Sequence, residues 1–242
     1  KDDRGEQTMK RTVTFGEIML RLKTPEHMRI LQTDAFEASY GGAEANVAVS
    51  LAVLKDPVSF VTKLPENPVG TAALNEVRRY GADTSKVVIG GSRLGIYFFE
   101  KGTDIRPTNV VYDREGSALA LAKPEEFHWD EILKDTDIFY FSGVTPAVSE
   151  NIAKAVLEAL KYCKAHGIET VCDLNYRSKM WDTKKAQSVM SELMNYVTLC
   201  IANDEDFESS LGIHAYDGDI SKGIDQIESY KAGMKEIQSR YP

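Results

Sequence analysis

The chain has 242 residues, of which 43% are hydrophobic, 17 are glycine and 8 are proline. This composition is typical of a folded protein with one large core and argues against disorder. A net charge of −8 argues against a general surface for nucleic acids or anionic membranes. An anionic ligand would therefore need locally placed arginines.

No apolar run is as long as a membrane span, and residues 1–10 lack the apolar stretch of a signal peptide, so we expect a cytoplasmic protein. We interpret residues 1–9 as an N-terminal extension and residues 10–242 as one α/β domain. The cysteines lack the spacing of a metal site, and we expect them to be reduced and buried. They are Cys163, Cys172 and Cys200.

Strand-like apolar runs alternate with helical patterns along most of the chain, which predicts a parallel sheet with helices on both faces. The predicted strands are 12–22, 58–64, 86–89, 138–143, 169–175 and 197–203. The predicted helices are 43–54, 70–81, 149–167, 183–196 and 204–212. The first helix is apolar nearly all round, so we expect it to be buried. Ser149 is the expected N-cap of its helix.

Residues 93–118 break this alternation with two extended runs and no helix between them. With nearby strands they predict a small antiparallel flap, whose strands are expected at about 15–22, 33–40 and 93–114. The flap could close over a site or merely decorate the edge of the sheet, and the pattern leaves both readings open.

The last segment has the apolar spacing of an amphipathic helix with a face to bury. Its apolar residues are Ile224, Ile227, Tyr230, Met234, Ile237 and Tyr241. The alternation then calls for another strand, and we expect the domain to be incomplete at its C-terminal end.

Ligands of an open parallel sheet bind outside the carboxyl ends of its strands. The segments 15–17, 141–146, 173–177 and 202–206 share that predicted rim. At the start of the first helix, Gly42 would let a ligand approach the backbone and Asn46 would offer an amide. The alternative is an ordinary tight turn that leads into a core helix.

Two arginines are candidates for binding an anion. Arg177 follows a strand together with Asn175, although a surface salt bridge is the alternative. Arg114 shares a strand face with Tyr112, and Tyr97 could lie opposite, which would suit a small carboxylate. The alternative for these three residues is a solvated flap.

The four histidines lack metal-ligand spacing, so zinc hydrolysis has no support. The sequence also contains no G-x-S-x-G segment and no Walker-type glycine loop. The usual serine hydrolases and P-loop enzymes are therefore disfavoured.

A series of ordered motifs between about Lys10 and Gly212 resembles the 2-keto-3-deoxygluconate kinase branch of the ribokinase-like (PfkB) family. The motifs are FGEIMLRL, YGGAEANVAVSLA, FVTKLPENPVG, RLGIYFFEKG, VVYDREGSALA, FSGVTPA, CDLNYRSKMW and CIANDED. The resemblance implies an α/β domain with a β-flap lid that transfers the γ-phosphoryl group of Mg-ATP to a sugar acid. It also implies a homo-oligomer formed through the lid.

By this resemblance, the substrate-binding positions are Met19, Gly42, Asn46, Tyr97, Tyr112, Arg114, Val144 and Arg177. Arg177 would also stabilise charge near the transferred phosphoryl group. Asn175 and Asn203 correspond to cofactor-binding positions. Asp206 would act on Mg²⁺ through water, although it stands where the family's N-x-x-E motif has glutamate.

The G-A-G-D motif, which carries the family's catalytic aspartate, does not occur in this sequence. We therefore expect the 242-residue chain to lack turnover and the full-length protein to have it. Two alternatives stay open. One is a fructokinase or another neutral-sugar kinase, and the other is a non-catalytic sugar-binding module.

Overall fold

The computed structural model describes residues 9–214 and 227–242, which form a layered α/β domain with a small β-sheet at one end. The strands are β1 Thr12–Phe15, β2 Met19–Lys23, β3 Glu37–Gly41, β4 Val58–Val61, β5 Lys63–Leu64, β6 Val88–Ile89, β7 Ile96–Glu100, β8 Asn109–Asp113, β9 Ile138–Ser142, β10 Glu169–Asp173 and β11 Leu199–Ile201. The helices are α1 Ala43–Val53, α2 Pro68–Arg78, α3 Trp129–Ile132, α4 Val144–Ala147, α5 Glu150–His166, α6 Thr183–Leu193, α7 Asp204–Leu211 and α8 Ile227–Arg240.

The central sheet has five parallel strands in the order β11-β10-β9-β1-β4, which confirms the predicted α/β class. One face packs with α5 and α6 in a core that includes Phe15 and Phe139. The other face packs under α1 in a second core around Phe60. Because both faces are covered there, β1 and β4 are buried along their whole length.

The lid is a four-stranded sheet in the order β3-β2-β7-β8. The prediction of a purely antiparallel flap is wrong, because β2 and β7 pair in parallel. Both strands run outward from the main domain, whereas β3 and β8 run back toward it and pair antiparallel. The sheet is mixed because the chain enters the lid twice in the same direction, once at β2 and once at β7.

The predicted strand 12–22 is two strands, since the chain changes partners after Phe15. Gly16 N–H still donates to Val61 O of the central sheet, whereas Leu20 N–H donates to Gly95 O in the lid. The predicted strand 58–64 also divides, and its second part, β5, pairs with β6 in a separate two-stranded sheet. The strand expected at 86–89 thus lies outside the central sheet.

The ends of α5 and α7 are those that the sequence predicts, whereas α2 differs at both ends and stops at Arg78 instead of Gly81. Ser149 Oγ accepts from Ile152 N–H as the expected N-cap of α5, and Gly167 ends that helix in the left-handed conformation. Gly212 closes α7 in the same way. For α2 the helix begins two residues before the predicted start, because Asn67 caps it and Pro68 occupies its first turn.

The expectation that α1 is buried all round is wrong. Ala45, Ala48 and Ala52 face the core, whereas Val53, the last residue of the helix, is 55% exposed. In α8, Ile237 packs into the main core but Met234 is 56% exposed. The predicted apolar face is thus only partly buried, and Ile224 lies outside the described residues.

Cys163 and Cys172 are buried and all three cysteines are free thiols. Cys200 is only half-buried, which corrects the prediction, because it lies on the edge strand β11. Burial raises the pKa of the Cys163 and Cys200 thiols to about 12, so neither is a reactive thiolate. None of the helices in the described ranges is long and apolar enough to cross a membrane.

Candidate active site

A cavity of about 820 Å³ lies between the lid and the carboxyl ends of the central strands. Nine residues that the sequence indicated line it: Met19, Gly42, Asn46, Tyr97, Tyr112, Arg114, Val144, Asn175 and Arg177. These residues come from the lid, the start of α1, the start of α4 and the segment after β10. The fold therefore brings them together, although the binding role of each stays a prediction.

Two tyrosines form the lid side of the cavity. Tyr97 on β7 and Tyr112 on β8 are direct cross-strand partners, and their ring centroids are 5.9 Å apart. Burial raises the pKa of the Tyr97 phenol, and the nearby Arg21 guanidinium opposes that shift. The hydroxyl is therefore a neutral donor and acceptor at physiological pH.

Arg114 lies beside this pair, and its guanidinium is held by an acid that the sequence did not single out. Its Nη2 donates to Glu17, which is 5% exposed, and Ser117 Oγ donates to the other oxygen of Glu17 at 3.0 Å. Its Nη1 donates to Met180 Sδ at 3.2 Å. Burial raises the pKa of Glu17, while Arg114 and Ser117 oppose the shift.

The segment at Glu17 passes directly against the start of α1. A Cβ on Gly42 would overlap the carbonyl oxygen of Glu17, so only glycine fits at this position. The side chain of Asn46, one turn into α1, has no hydrogen-bond partner among the described residues and faces the cavity. This arrangement exposes a helix N-terminus and a free amide to a ligand.

A buried carboxyl group fixes the start of α1 to the rim. Glu44 Oε1 accepts from Ser142 N–H at 2.9 Å, from Ser142 Oγ at 2.5 Å and from Thr145 Oγ1 at 2.9 Å. Complete burial raises its pKa, and these hydrogen bonds oppose the shift. Glu44 therefore joins α1, β9 and α4.

The segment after β10 forms the opposite wall. Asn175 has a positive φ of 38°, which turns the chain toward the lid, and Lys179 Nζ donates to Val110 O of β8 at 2.9 Å. Arg177 is exposed and donates to Tyr176 O at 3.0 Å. It forms no ion pair within the described ranges, so the surface salt bridge considered from the sequence is not observed.

Asn203 and Asp206 lie beside the cavity and do not line it. Asn203 Oδ1 accepts from Asp206 N–H at 2.7 Å, and Asp206 Oδ1 accepts from Tyr176 N–H at 2.8 Å. Within residues 9–214 and 227–242, no three His, Cys, Asp or Glu side chains come together as a metal site. A role in placing Mg²⁺ or nucleotide therefore stays a prediction for both residues.

The charge of the cavity is opposite to that of the chain. Among the described residues, four cationic side chains line it, namely Arg21, Arg114, Arg177 and Lys179, against one lining acid, Glu205, and the buried Glu17 behind Arg114. Sequence reasoning missed Arg21 and Lys179, although the period-two alternation in β2 places Arg21 on the same face as Met19. Lys179 gave no such signal, since it lies in an irregular segment.

The sequence matches the pfkB family of carbohydrate kinases over residues 9–239. The chain belongs to this family. The resemblance found in the motifs is thereby confirmed, and the lid and the cavity beneath it are features of a PfkB-family chain.

Three relatives show which members it is similar to. A 2-dehydro-3-deoxygluconokinase of Thermotoga maritima is 46% identical with a TM-score of 0.89, over 96% of this chain and 69% of that one. A 2-dehydro-3-deoxygalactonokinase of Haloferax volcanii is 38% identical over 86% of this chain. A 5-dehydro-2-deoxygluconokinase of Shouchella clausii is 28% identical over 84% of it.

The chain spans 64% of the length of the Haloferax relative and 63% of that of the Shouchella relative.

Proposed function

We propose that the complete protein transfers a phosphoryl group from ATP to a sugar acid, and that its substrate is 2-keto-3-deoxygluconate. The observation that carries this proposal is the cationic cavity under the lid of an acidic chain. A carboxylate is the group that such a cavity would select, because paired or hydrogen-bonded guanidinium groups bind it with defined geometry. The names of all three relatives refer to keto-deoxy sugar acids.

In this proposal the two arginines have different tasks. Arg114 is 15% exposed and fixed by its neighbours, so it suits the carboxylate of the sugar acid. Arg177 is exposed at the carboxyl end of β10, so it suits the negative charge of the phosphoryl group in transfer. Tyr97, Tyr112 and Asn46 would bind the sugar hydroxyls.

ATP is the expected cosubstrate and Mg²⁺ is the expected metal. The metal ion would neutralise negative charge on the phosphates of ATP. Asn175, Asn203 and Asp206 are the residues of this chain that we propose lie near them. The buried Asp206 with one oxygen bonded to Tyr176 N–H supports an indirect role through water. The cytoplasmic location stays a prediction.

The experiment is a steady-state assay of the complete protein with three substrates: 2-keto-3-deoxygluconate, its galactonate epimer and fructose. We expect ADP release with both sugar acids, because both carry the same carboxylate, and a far higher KM for fructose, which has none. Arg114→Ala should raise KM for the sugar acids by about tenfold to a hundredfold, since a charged hydrogen bond is lost. Efficient phosphorylation of fructose would instead support a neutral-sugar kinase.

We further propose that the protein is a homo-oligomer assembled through the lid. The outer face of the lid, opposite the cavity, carries Leu22, Phe98 and Val111, and Val111 is 45% exposed. Leu22 and Phe98 are partly buried, and the ring of Phe36 packs against Phe98, so this is a partly exposed apolar face of the kind that favours association. Light scattering should give a multimeric mass, and Phe98→Glu should shift it toward the monomer.

A further inference from the structure

The acid Glu17 lies where the chain passes from the central sheet to the lid, and it contacts the cavity through Arg114. It lies between β1 of the central sheet and β2 of the lid, and its carboxylate is almost completely buried. Both of its oxygens are used, one by Arg114 and the other by Ser117. Burying an acid costs desolvation free energy, so a stabilising effect on the fold does not by itself explain the pairing of Glu17 with a cavity arginine.

The two donor nitrogens of Arg114 have partners of very different strength. Nη2 donates to the carboxylate of Glu17, which is a strong charge-assisted hydrogen bond. Nη1 donates at 3.2 Å to the thioether of Met180, which is a weak acceptor. A ligand carboxylate that enters the cavity could thus replace Met180 at Nη1 without disturbing Nη2.

We propose that Glu17 is a positioning residue for the carboxylate of the substrate, a role that rests on the function proposed above. Glu17 anchors Nη2 of Arg114, so that Nη1 is presented to the cavity. Met180 occupies Nη1 until a substrate carboxylate takes its place. Selection of a sugar acid over a neutral sugar then depends on residues 17 and 114 together.

The residues around Glu17 and Arg114 favour a single arrangement of this ion pair. Asp113, the acid next to Arg114 in sequence, is engaged with Arg93 at 2.9 Å and does not compete for Arg114. A Cβ on Gly95 would lie 2.9 Å from Glu17 Oε1 and 3.3 Å from Arg114 Cβ, so this glycine leaves room for the pair. An arginine side chain that can rotate freely loses much conformational entropy when it binds a ligand. Because Glu17 already holds Arg114, Arg114 loses less.

The test is a double-mutant cycle in the complete protein with Glu17→Ala, Arg114→Ala and both together. The readouts are Kd and kcat for 2-keto-3-deoxygluconate and Kd for fructose as the neutral sugar. We expect Glu17→Ala to raise Kd for the sugar acid about tenfold, with little change in kcat and little change for fructose. In the Arg114→Ala background, Glu17→Ala should have no further effect on Kd.

A second variant covers the case in which Glu17→Ala does not fold. In Gly95→Ala the added Cβ would lie 2.9 Å from Glu17 Oε1 and 3.2 Å from Met19 Cγ, so it should displace the carboxylate of Glu17 and weaken binding of the sugar acid more than that of fructose. The control is Glu126→Ala, which breaks the partly buried pair of Glu126 and Lys63 outside the cavity. It should leave both Kd values unchanged.

The outcomes separate the role of Glu17 from the proposed function. If the unmodified protein prefers the sugar acid and keeps that preference in Glu17→Ala and Gly95→Ala, the positioning role is wrong and the function stands. Equal loss of both sugars, or additive effects in the cycle, also overturns the role. If the unmodified protein does not prefer the sugar acid, the proposed function fails and the role of Glu17 fails with it.

Discussion

Lys179 Nζ donates a hydrogen bond of 2.9 Å to the backbone carbonyl of Val110, and this bond ties the segment after β10 to the lid. Arg114 makes a second link between the same two parts through Met180. We predict that Lys179→Met weakens binding of the sugar acid about twofold to fivefold. The effect is modest because the ammonium group is exposed to water.

Isothermal titration of the sugar acid would measure this change in Kd. The matched control is Lys184→Met, since Lys184 is an exposed lysine of α6 that does not line the cavity. An equal loss of affinity in both variants would show that the bond from Lys179 to Val110 contributes nothing beyond general charge.

The sequence predicted those parts of the site that follow from local periodicity. Tyr97 and Tyr112 lie on two short extended runs that pair with each other, so alternation alone indicated that they could face each other. The residues at the rim were likewise expected, because the carboxyl ends of parallel strands lie at the same edge of the sheet. The ordered motifs then indicated the family.

The sequence did not predict contacts that join distant positions. Glu17 and Arg114 are 97 positions apart, and no local pattern relates them. Their pairing depends on where the chain leaves the central sheet at Gly16, which a continuous apolar run from 12 to 22 conceals. The parallel pairing of β2 with β7 also could not be predicted from a local pattern, because it depends on the chain entering the lid at two separate places.

Neighbouring glycines should respond very differently to the addition of a methyl group. A Cβ on Gly42 would overlap the backbone carbonyl of Glu17, which cannot move without shifting the strand connection. We predict that Gly42→Ala lowers the free energy of unfolding by about 3 kcal/mol. Urea unfolding followed by circular dichroism would measure the loss.

The matched control for this change is Gly41→Ala. A Cβ at that position would lie 3.6 Å from Asn46 Oδ1 and 3.9 Å from Tyr97 Oη, which are ordinary contacts. The free energy of unfolding should therefore change by less than about 1 kcal/mol. Similar losses for both variants would contradict the argument from the close approach of Glu17.

Removal of the Glu44 carboxyl group should destabilise the junction of α1, β9 and α4. Glu44→Ala leaves the N–H and the hydroxyl of Ser142 without their acceptor in a fully buried place, whereas Thr145 Oγ1 can still donate to Phe15 O. We predict a loss of about 3 kcal/mol in the free energy of unfolding. Glu158→Ala, which removes an exposed carboxylate from α5, is the control and should cost less than about 0.5 kcal/mol.

The same carboxyl group should make stability depend on pH in a definite direction. Burial raises the pKa of Glu44 in the folded protein above its ordinary value of 4.5. Below that value the group is protonated in both states. As pH rises, the unfolded state releases its proton first, so the folded state binds more protons and the stability that Glu44 contributes falls.

Glu44→Gln keeps the shape of the protonated acid and does not titrate. We predict that the unmodified protein is more stable than this variant at about pH 4, and that the difference shrinks toward about pH 7. Urea unfolding of both proteins across this range would measure the difference, and Glu158→Gln would report the effect of the charge change alone. A difference that stays constant or grows with pH would show that Glu44 is already ionised when the protein folds in acid.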